Sequence, residues 1–300
     1  MKEVKEMTKA LSGIFAPVTT PFVDEEVSFD RLKENMKKYA SSSLSGIFAL
    51  GSNGESKSLT EEEKIKILRV ILEEKGENQL VMAGTGYEST RETIRFSKKV
   101  AEAGADFVSV VTPSYFKKCL TDDAMVRYYT DIADAVPIPV LVYNAPGFTG
   151  MTLTPKVVGK LAGHPNIAGM KDSSTGNMNN YIIAAGGAPF CVLAGTISTL
   201  FSALPIGATG GVVSLADAFP EPPCALYQKY VSGDMDGARE LHFKLYALNS
   251  AVSGNFGVAG VKYAMELGGF HGGAPRLPLL PLQEEDKQSI RGAVEKAGLL

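Results

Sequence analysis

Eight short apolar segments, each followed by a stretch with the spacing of an amphipathic helix, constrain the fold of this 300-residue chain more than any other feature. They are GIFAPVTT (13–20), SGIFALGS (45–52), QLVMAGTG (79–86), FVSVVTP (107–113), IPVLVYNAP (138–146), NIAGMKDSS (166–174), CVLAGT (191–196) and GGVVSL (210–215). Rich in branched residues and apolar on both faces, they read as strands buried on two sides. The intervening stretches have recognisable starts: Thr60 with Glu63 and Ser89 with Glu92 both carry capping-box spacing. Such alternation predicts a parallel sheet with helical crossovers, and eight units fit an α/β fold of the closed (β/α)8 TIM-barrel type better than an open, doubly wound sheet. The 85 residues after Leu215 read as helices, broken by the proline-rich turn PRLPLLP (275–281). They are too few for a second core. We therefore expect a catalytic barrel domain over 1–220 and a C-terminal helical extension over 221–300, packed on the barrel or on another subunit.

Composition narrows the function. A formal net charge of −3 offers no basic face for nucleic acid, and no Lys/Arg cluster is interleaved with aromatics. Cys119, Cys191 and Cys224 lack CxxC spacing, and His164, His242 and His271 lack ligand spacing, so neither a disulfide framework nor a metal site is expected. The first residues mix both charges without a signal-like apolar core, and no apolar run reaches the roughly 18 residues of a membrane span. A cytoplasmic enzyme without membrane contact is the expectation.

In a barrel of this type the chemistry lies where strands end. The predicted ends carry Thr19 and Thr20; Ser52, Asn53 and Glu55; Gly84; Thr112, Ser114 and Tyr115; Tyr143 and Asn144; Lys171 and Ser173; Gly195 and Thr196; and Ser214. The only carboxylates near this mouth are Glu55 and Asp172, a poor supply for two-carboxylate hydrolysis. Lys171 stands out because it closes the apolar run NIAGM. Burial favours the neutral amine over the ammonium, and a neutral amine can attack a ketone to form an imine. The GSNGES turn supplies backbone N–H groups near a helix start, with the Ser52 hydroxyl and the Asn53 amide, and so can hold a carboxylate without a cation. Two other glycine-rich stretches, GTGYES and GATGG, lack the context of a nucleotide loop and read as turns.

GIFAPVTTPF, GSNGES, VVTPSYF, VLVYNAPGFTG, GMKDSS and RLPLLPL, in this order and covering nearly the whole chain, resemble the signatures of the dihydrodipicolinate synthase and N-acetylneuraminate lyase superfamily. The resemblance implies a TIM barrel with a C-terminal helical extension, a homotetramer built as a dimer of dimers, and class I aldolase chemistry. Pyruvate would be held as a lysine imine and joined reversibly to an aldehyde, with no metal or organic cofactor. It places the imine on Lys171 and proton shuttling on Tyr143. Ser52 and Tyr115 complete the proton relay, with Tyr115 in many relatives reaching into a neighbouring subunit's site. Gly195 and Val213 would line the pocket with Asn53, and Ser173 and Thr196 would contact the distal part of the substrate.

One departure bears on specificity. Dihydrodipicolinate synthases carry an arginine in YNxPxRTG, which pairs with the aspartate semialdehyde carboxylate; here Phe148 occupies that place. Sialic-acid lyases carry an acidic pair after the seventh strand, where this chain reads AGTIST (194–199). The motifs look most like 4-hydroxy-2-oxoglutarate aldolases, with related sugar-acid and hydratase-type aldolases open. Dihydrodipicolinate synthase is the alternative, with Lys117 as a substitute source of charge. An alternative of another class is a catalytically silent member that binds a 2-oxo acid.

Overall fold

The computed structural model describes residues 11–300; residues 1–10 of the expected barrel segment lie outside them. Ten strands form. The order is β1 (Gly13–Ala16), β2 (Phe22–Val23), β3 (Glu26–Val27), β4 (Gly46–Ala49), β5 (Leu80–Gly84), β6 (Phe107–Val111), β7 (Val140–Asn144), β8 (Ile167–Asp172), β9 (Cys191–Ala194) and β10 (Gly210–Val212). Eight of them close into a barrel in the order β1-β10-β9-β8-β7-β6-β5-β4, and every one falls inside a segment expected from the sequence. The antiparallel pair β2–β3 was not expected; two residues per strand are too short to show a period, and its turn uses Asp24 and Glu25 at φ 50° and 67°.

The chain forms two compact units, one over 82–211 with residues 11–12 and one over 13–81 with 212–300. In the first, β6 to β9 pair in parallel, and the crossover helices cover them with apolar stripes. Helix Thr90–Ala103 buries Thr93, Phe96, Ser97 and Val100, the i, i+3, i+4, i+7 spacing of one helix face. The core of this unit includes Phe107, Val108, Tyr129, Ile132, Leu141, Leu161 and Leu200. In the second unit β1 pairs in parallel with β4, and Phe15, Phe48, Leu32, Met36, Ile67, Ile71, Leu245 and Met265 are fully shielded from solvent. The expected helical extension is present as Glu221–Val231, Met235–Asn249, Asn255–Leu267 and Glu284–Lys296. A π-helical turn, Ser250–Gly254, interrupts it, and Gly257 leaves helical geometry at φ 55°. Among the described residues no helix is long and apolar enough to cross a membrane.

Helix starts separate local from tertiary choices. The Thr60–Glu63 capping box forms with both arms. At Ser89 only one arm forms: its side chain accepts the Glu92 N–H, while the Glu92 carboxylate turns to Arg95 at 2.7 Å. A charged partner one turn away outcompetes the backbone N–H.

Glu63 also receives the Arg276 guanidinium through two bonds, at 2.7 and 3.0 Å. That hydrogen bonding to Arg276 holds the Glu63 carboxyl below its ordinary value of 4.5 despite an opposing desolvation cost. A depressed carboxyl contributes stability above the unfolded pKa and loses it as pH falls through the folded one. Glu63→Gln should therefore be less stable than wild type at neutral pH by about 1 kcal/mol. The deficit should vanish in acid below 4.5, as read by urea unfolding at both pH values.

Candidate active site

The ends of β7 and β8 are the centre of the site, and their register depends on one extra residue. Val140 pairs with Ile167, but Leu141 pairs with Gly169, so Ala168 is accommodated as a bulge. From there Tyr143 pairs with Lys171 and Asn144 with Asp172. Side chains in paired positions of a parallel sheet share a face, and the next pair takes the other face. Both pairs obey this. The Lys171 ammonium lies 4.3 Å from the centre of the Tyr143 ring, and both residues are buried, at 5% and 4% exposure. The other pair points to the helical layer: Asn144 Nδ2 donates to Asp172 Oδ1 at 2.8 Å, and Tyr181 of helix Met178–Ala185 lies 3.2 Å from the same nitrogen.

Gly169 is required by the same geometry, because a Cβ there would come within 2.3 Å of the Cys191 carbonyl on β9. Asp172 also accepts from the Ser174 N–H at 3.0 Å and from its hydroxyl at 2.9 Å. Burial raises the Asp172 carboxyl above its ordinary value against these three hydrogen bonds. Burial, and then the charge of Asp172, raise the Tyr181 phenol to about 12. Tyr181 donates to the Leu153 carbonyl at 2.8 Å, and the Leu153 N–H donates to Asn144 Oδ1 at 3.1 Å. A closed polar network thus fixes the strand ends that carry Tyr143 and Lys171. The sequence reading noted Asn144 and Asp172 only as mouth residues and missed Tyr181, whose partners lie 28 and 37 positions away in the chain.

The remaining expected residues of this unit fall into three groups. Ser173 and Gly195 meet directly: the Gly195 N–H donates to Asp172 O at 2.7 Å, and a Cβ on Gly195 would strike the Ser173 hydroxyl. Thr196 is the N-cap of helix Ile197–Ala203, accepting from Ser198 N at 3.3 Å, so its hydroxyl is engaged by the backbone. Phe148 and Tyr115 are exposed, at 73% and 80%. Phe148 sits on the one-turn helix Pro146–Thr149, and the Lys117 ammonium lies beside the next residue but one, 2.7 Å from where a Cβ of Gly150 would be. Tyr115 packs edge-on against Phe116, and its N–H donates to Glu88 at 3.0 Å. Glu88 collects the Ser114 N–H and hydroxyl as well, a loop anchor that the sequence reading missed.

In the second unit the GSNGES turn follows β4. Its left-handed residues are Leu50 and Glu55, at φ 56° and 52°, not its glycines. The glycines serve close approach: a Cβ at Gly51 would lie 2.7 Å from the Phe48 ring, and one at Gly54 3.2 Å from the Val18 carbonyl. Thr20 donates to Gly54 O at 2.8 Å. Asn53 donates its amide to the buried Asp217 at 2.8 Å, which engages the side chain that the sequence reading assigned to a carboxylate. Half-buried Ser52 accepts the Glu55 N–H on its carbonyl at 3.0 Å, leaving its hydroxyl outside these contacts. Val213 is fully buried and donates its N–H to Phe15 O at 3.2 Å. The expected mouth carboxylate Glu55 is instead locked against Lys262 at 2.5 Å. Among the described residues no cluster of His, Cys, Asp and Glu has the makings of a metal site.

Comparison with known proteins places these residues in context. Residues 10–297 match the dihydrodipicolinate synthetase family. The 4-hydroxy-tetrahydrodipicolinate synthase of Geobacter metallireducens is 34% identical over 96% of this chain and 99% of its own. An uncharacterized DapA-like lyase of Halobacterium salinarum is 35% identical over 97% of this chain and 95% of its own. Among solved structures, YagE of Escherichia coli K12, a prophage protein of the dihydrodipicolinic acid synthase family in complex with pyruvate, superposes with a TM-score of 0.90. It is 29% identical and covers 97% of this chain and 99% of its own.

Asn144→Ala removes a donor from buried Asp172 and an acceptor from the Leu153 N–H, at an expected cost of about 1–3 kcal/mol in chemical unfolding. Because the Asp172 carboxyl is raised, the deficit should grow as pH rises through the range above 3.8, where the carboxylate becomes charged without its donor. A pH-independent deficit would show that Asp172 is not the group affected.

Proposed function

Since this chain belongs to the dihydrodipicolinate synthetase family, a family of lyases and synthases, we propose that it is a class I aldolase that joins pyruvate reversibly to an aldehyde through an imine on Lys171. The observation that carries the reading is the buried Lys171–Tyr143 pair, an amine against a phenol at adjacent strand ends. In this reading the Lys171 nitrogen attacks C2 of pyruvate to give a carbinolamine. Proton transfer through Tyr143 lets the hydroxyl leave as water, forming the iminium. The Tyr143 phenolate left by that step takes a C3 proton to give an enamine, whose C3 attacks the aldehyde carbon while Tyr143 returns the proton to the aldehyde oxygen. Hydrolysis of the product imine frees the lysine. Ser52 and Tyr115 connect Tyr143 to solvent, with Tyr115 acting in its own or a neighbouring subunit of a homotetramer. The pyruvate carboxylate is held by the Ser52 hydroxyl and the backbone N–H of Asn53, whose side-chain amide is already used by Asp217. Gly195 and Val213 line the pocket, and Ser173 flanks the distal substrate with Thr196, whose part falls to its backbone because its hydroxyl caps a helix.

The acceptor we favour is a short aldehyde such as glyoxylate, the substrate of a 4-hydroxy-2-oxoglutarate aldolase, because Phe148 places an apolar ring where an arginine would pair with a second carboxylate. The second reading, 4-hydroxy-tetrahydrodipicolinate synthase, is favoured by Lys117, whose ammonium lies beside Gly150 in the same turn, and by the activity named for the Geobacter relative.

Borohydride reduction with pyruvate should add one pyruvyl group, mapped by mass spectrometry to Lys171 and absent in Lys171→Ala; an adduct surviving on another lysine sinks the assignment. Tyr143→Phe should slow turnover by about a hundredfold or more. Phe148→Arg should shift kcat/KM toward aspartate semialdehyde by about one to two decades. Efficient wild-type use of that aldehyde, lost in Lys117→Ala, would promote the second reading.

A further inference from the structure

Lys171 is not the only buried lysine. Lys262, in helix Asn255–Leu267, has a fully buried side chain, and the mechanism above does not use it. Its ammonium is satisfied on three sides: Glu55 Oε1 at 2.5 Å, the Ala274 carbonyl at 2.9 Å and the face of Phe22 at 4.4 Å. Burial lowers its pKa and the charge of Glu55 opposes that shift, as in a held ion pair. Such an amine has no open direction from which to meet a ketone.

Its position explains what it is held for. Glu55 closes the turn that begins at Gly51, and its other carboxylate oxygen accepts the Arg276 N–H at 2.9 Å. The residue sits in left-handed geometry, at φ 52°, where a side chain with a Cβ is disfavoured. From that strained position its N–H reaches back to Ser52 O at 3.0 Å, and its own carbonyl accepts from Ser58 N at 2.8 Å. The carboxylate therefore sets the direction of the peptide groups around Ser52 and Asn53. Arg276, whose guanidinium carbon lies 4.4 Å from the Phe22 centroid, ties residues 274–277 into the cluster.

We propose that Lys262 and Glu55 are positioning residues: their buried ion pair holds the Ser52–Asn53 turn in the shape that receives the carboxylate of a 2-oxo acid. The C-terminal helical extension is thus part of the binding unit. The inference rests on the function proposed above for its ligand, and on the second unit alone for its geometry.

The test uses the full-length protein and pyruvate. Lys262→Met and the double variant Lys262→Met/Glu55→Gln are compared with wild type by the pyruvate dependence of borohydride trapping and by amide hydrogen exchange over residues 51–58. The double variant also removes the charge that the single one leaves orphaned, so the test stands on it alone if the single variant fails to fold. Both should need about tenfold or more pyruvate for half-maximal trapping, reach full trapping on Lys171 at saturation, and exchange faster across the turn. Asn166→Ala, which breaks half-buried hydrogen bonds to the Ala133 and Val136 carbonyls, is the control for general destabilisation and should leave the pyruvate requirement unchanged. Wild-type half-saturation and exchange in the double variant would overturn the proposal. If wild type itself forms no pyruvyl adduct, the function reading fails, and the exchange of the turn still decides whether the ion pair holds it.

Discussion

The extra residue in β8 is the constraint on which the rest of the site depends. Without a bulge between Ile167 and Gly169, the pairing that begins at Val140–Ile167 would set Tyr143 opposite Met170, and Lys171 would face the helical layer with Asp172 in its place. The bulge exchanges these roles. It sends the amine to the face shared with Tyr143 and turns the carboxylate outward, to a nest of donors from Asn144 and Ser174. A carboxylate left beside the amine would pair with it as a salt bridge and hold it protonated. The register therefore puts the amine and the carboxylate on opposite faces of the sheet.

Two of the three buried lysines among the described residues, Lys262 and Lys171, differ in what surrounds them. Lys262 and Lys171 are both buried, yet Lys262 points its charge at a carboxylate, a carbonyl and a ring, whereas Lys171 lies 4.3 Å from the centre of the Tyr143 ring. Burial alone would not tell a reactive lysine from a structural one. The identity of the partner does: a carboxylate stabilises the ammonium and removes the nucleophile, while a phenol can both give and take the proton that imine formation moves.

This distinction marks how far the sequence was legible. All eight barrel strands could be read from their apolar runs, and the burial of Lys171 from its place at the end of one, because strand period and burial are local properties of a segment. The bulge at Ala168 could not, since NIAGMKDSS has the same composition whether or not one residue is looped out. Lys262 was hidden for a related reason: GVAGVKYAMELG reads as an ordinary helix with one solvated lysine, and its partner Glu55 lies more than two hundred residues earlier. Asn53 was assigned to a ligand because its partner, Asp217, is separated from it by 164 positions. In each case the residue type was visible and the partner was not.

The GSNGES turn joins these strands of argument. The left-handed residues here are Leu50 and Glu55, and the glycines make room for Phe48 and Val18. Strain on two residues with side chains persists only where surroundings over-determine it, and here the surroundings are Lys262, Arg276, Thr20 and Asp217. Lys262 and Arg276 hold Glu55, Thr20 holds Gly54 and Asp217 holds Asn53, and none of them engages the Ser52 hydroxyl. Held at Asn53, Gly54 and Glu55, the turn presents the Ser52 hydroxyl on a fixed backbone, which lowers the ordering cost of any contact that hydroxyl makes.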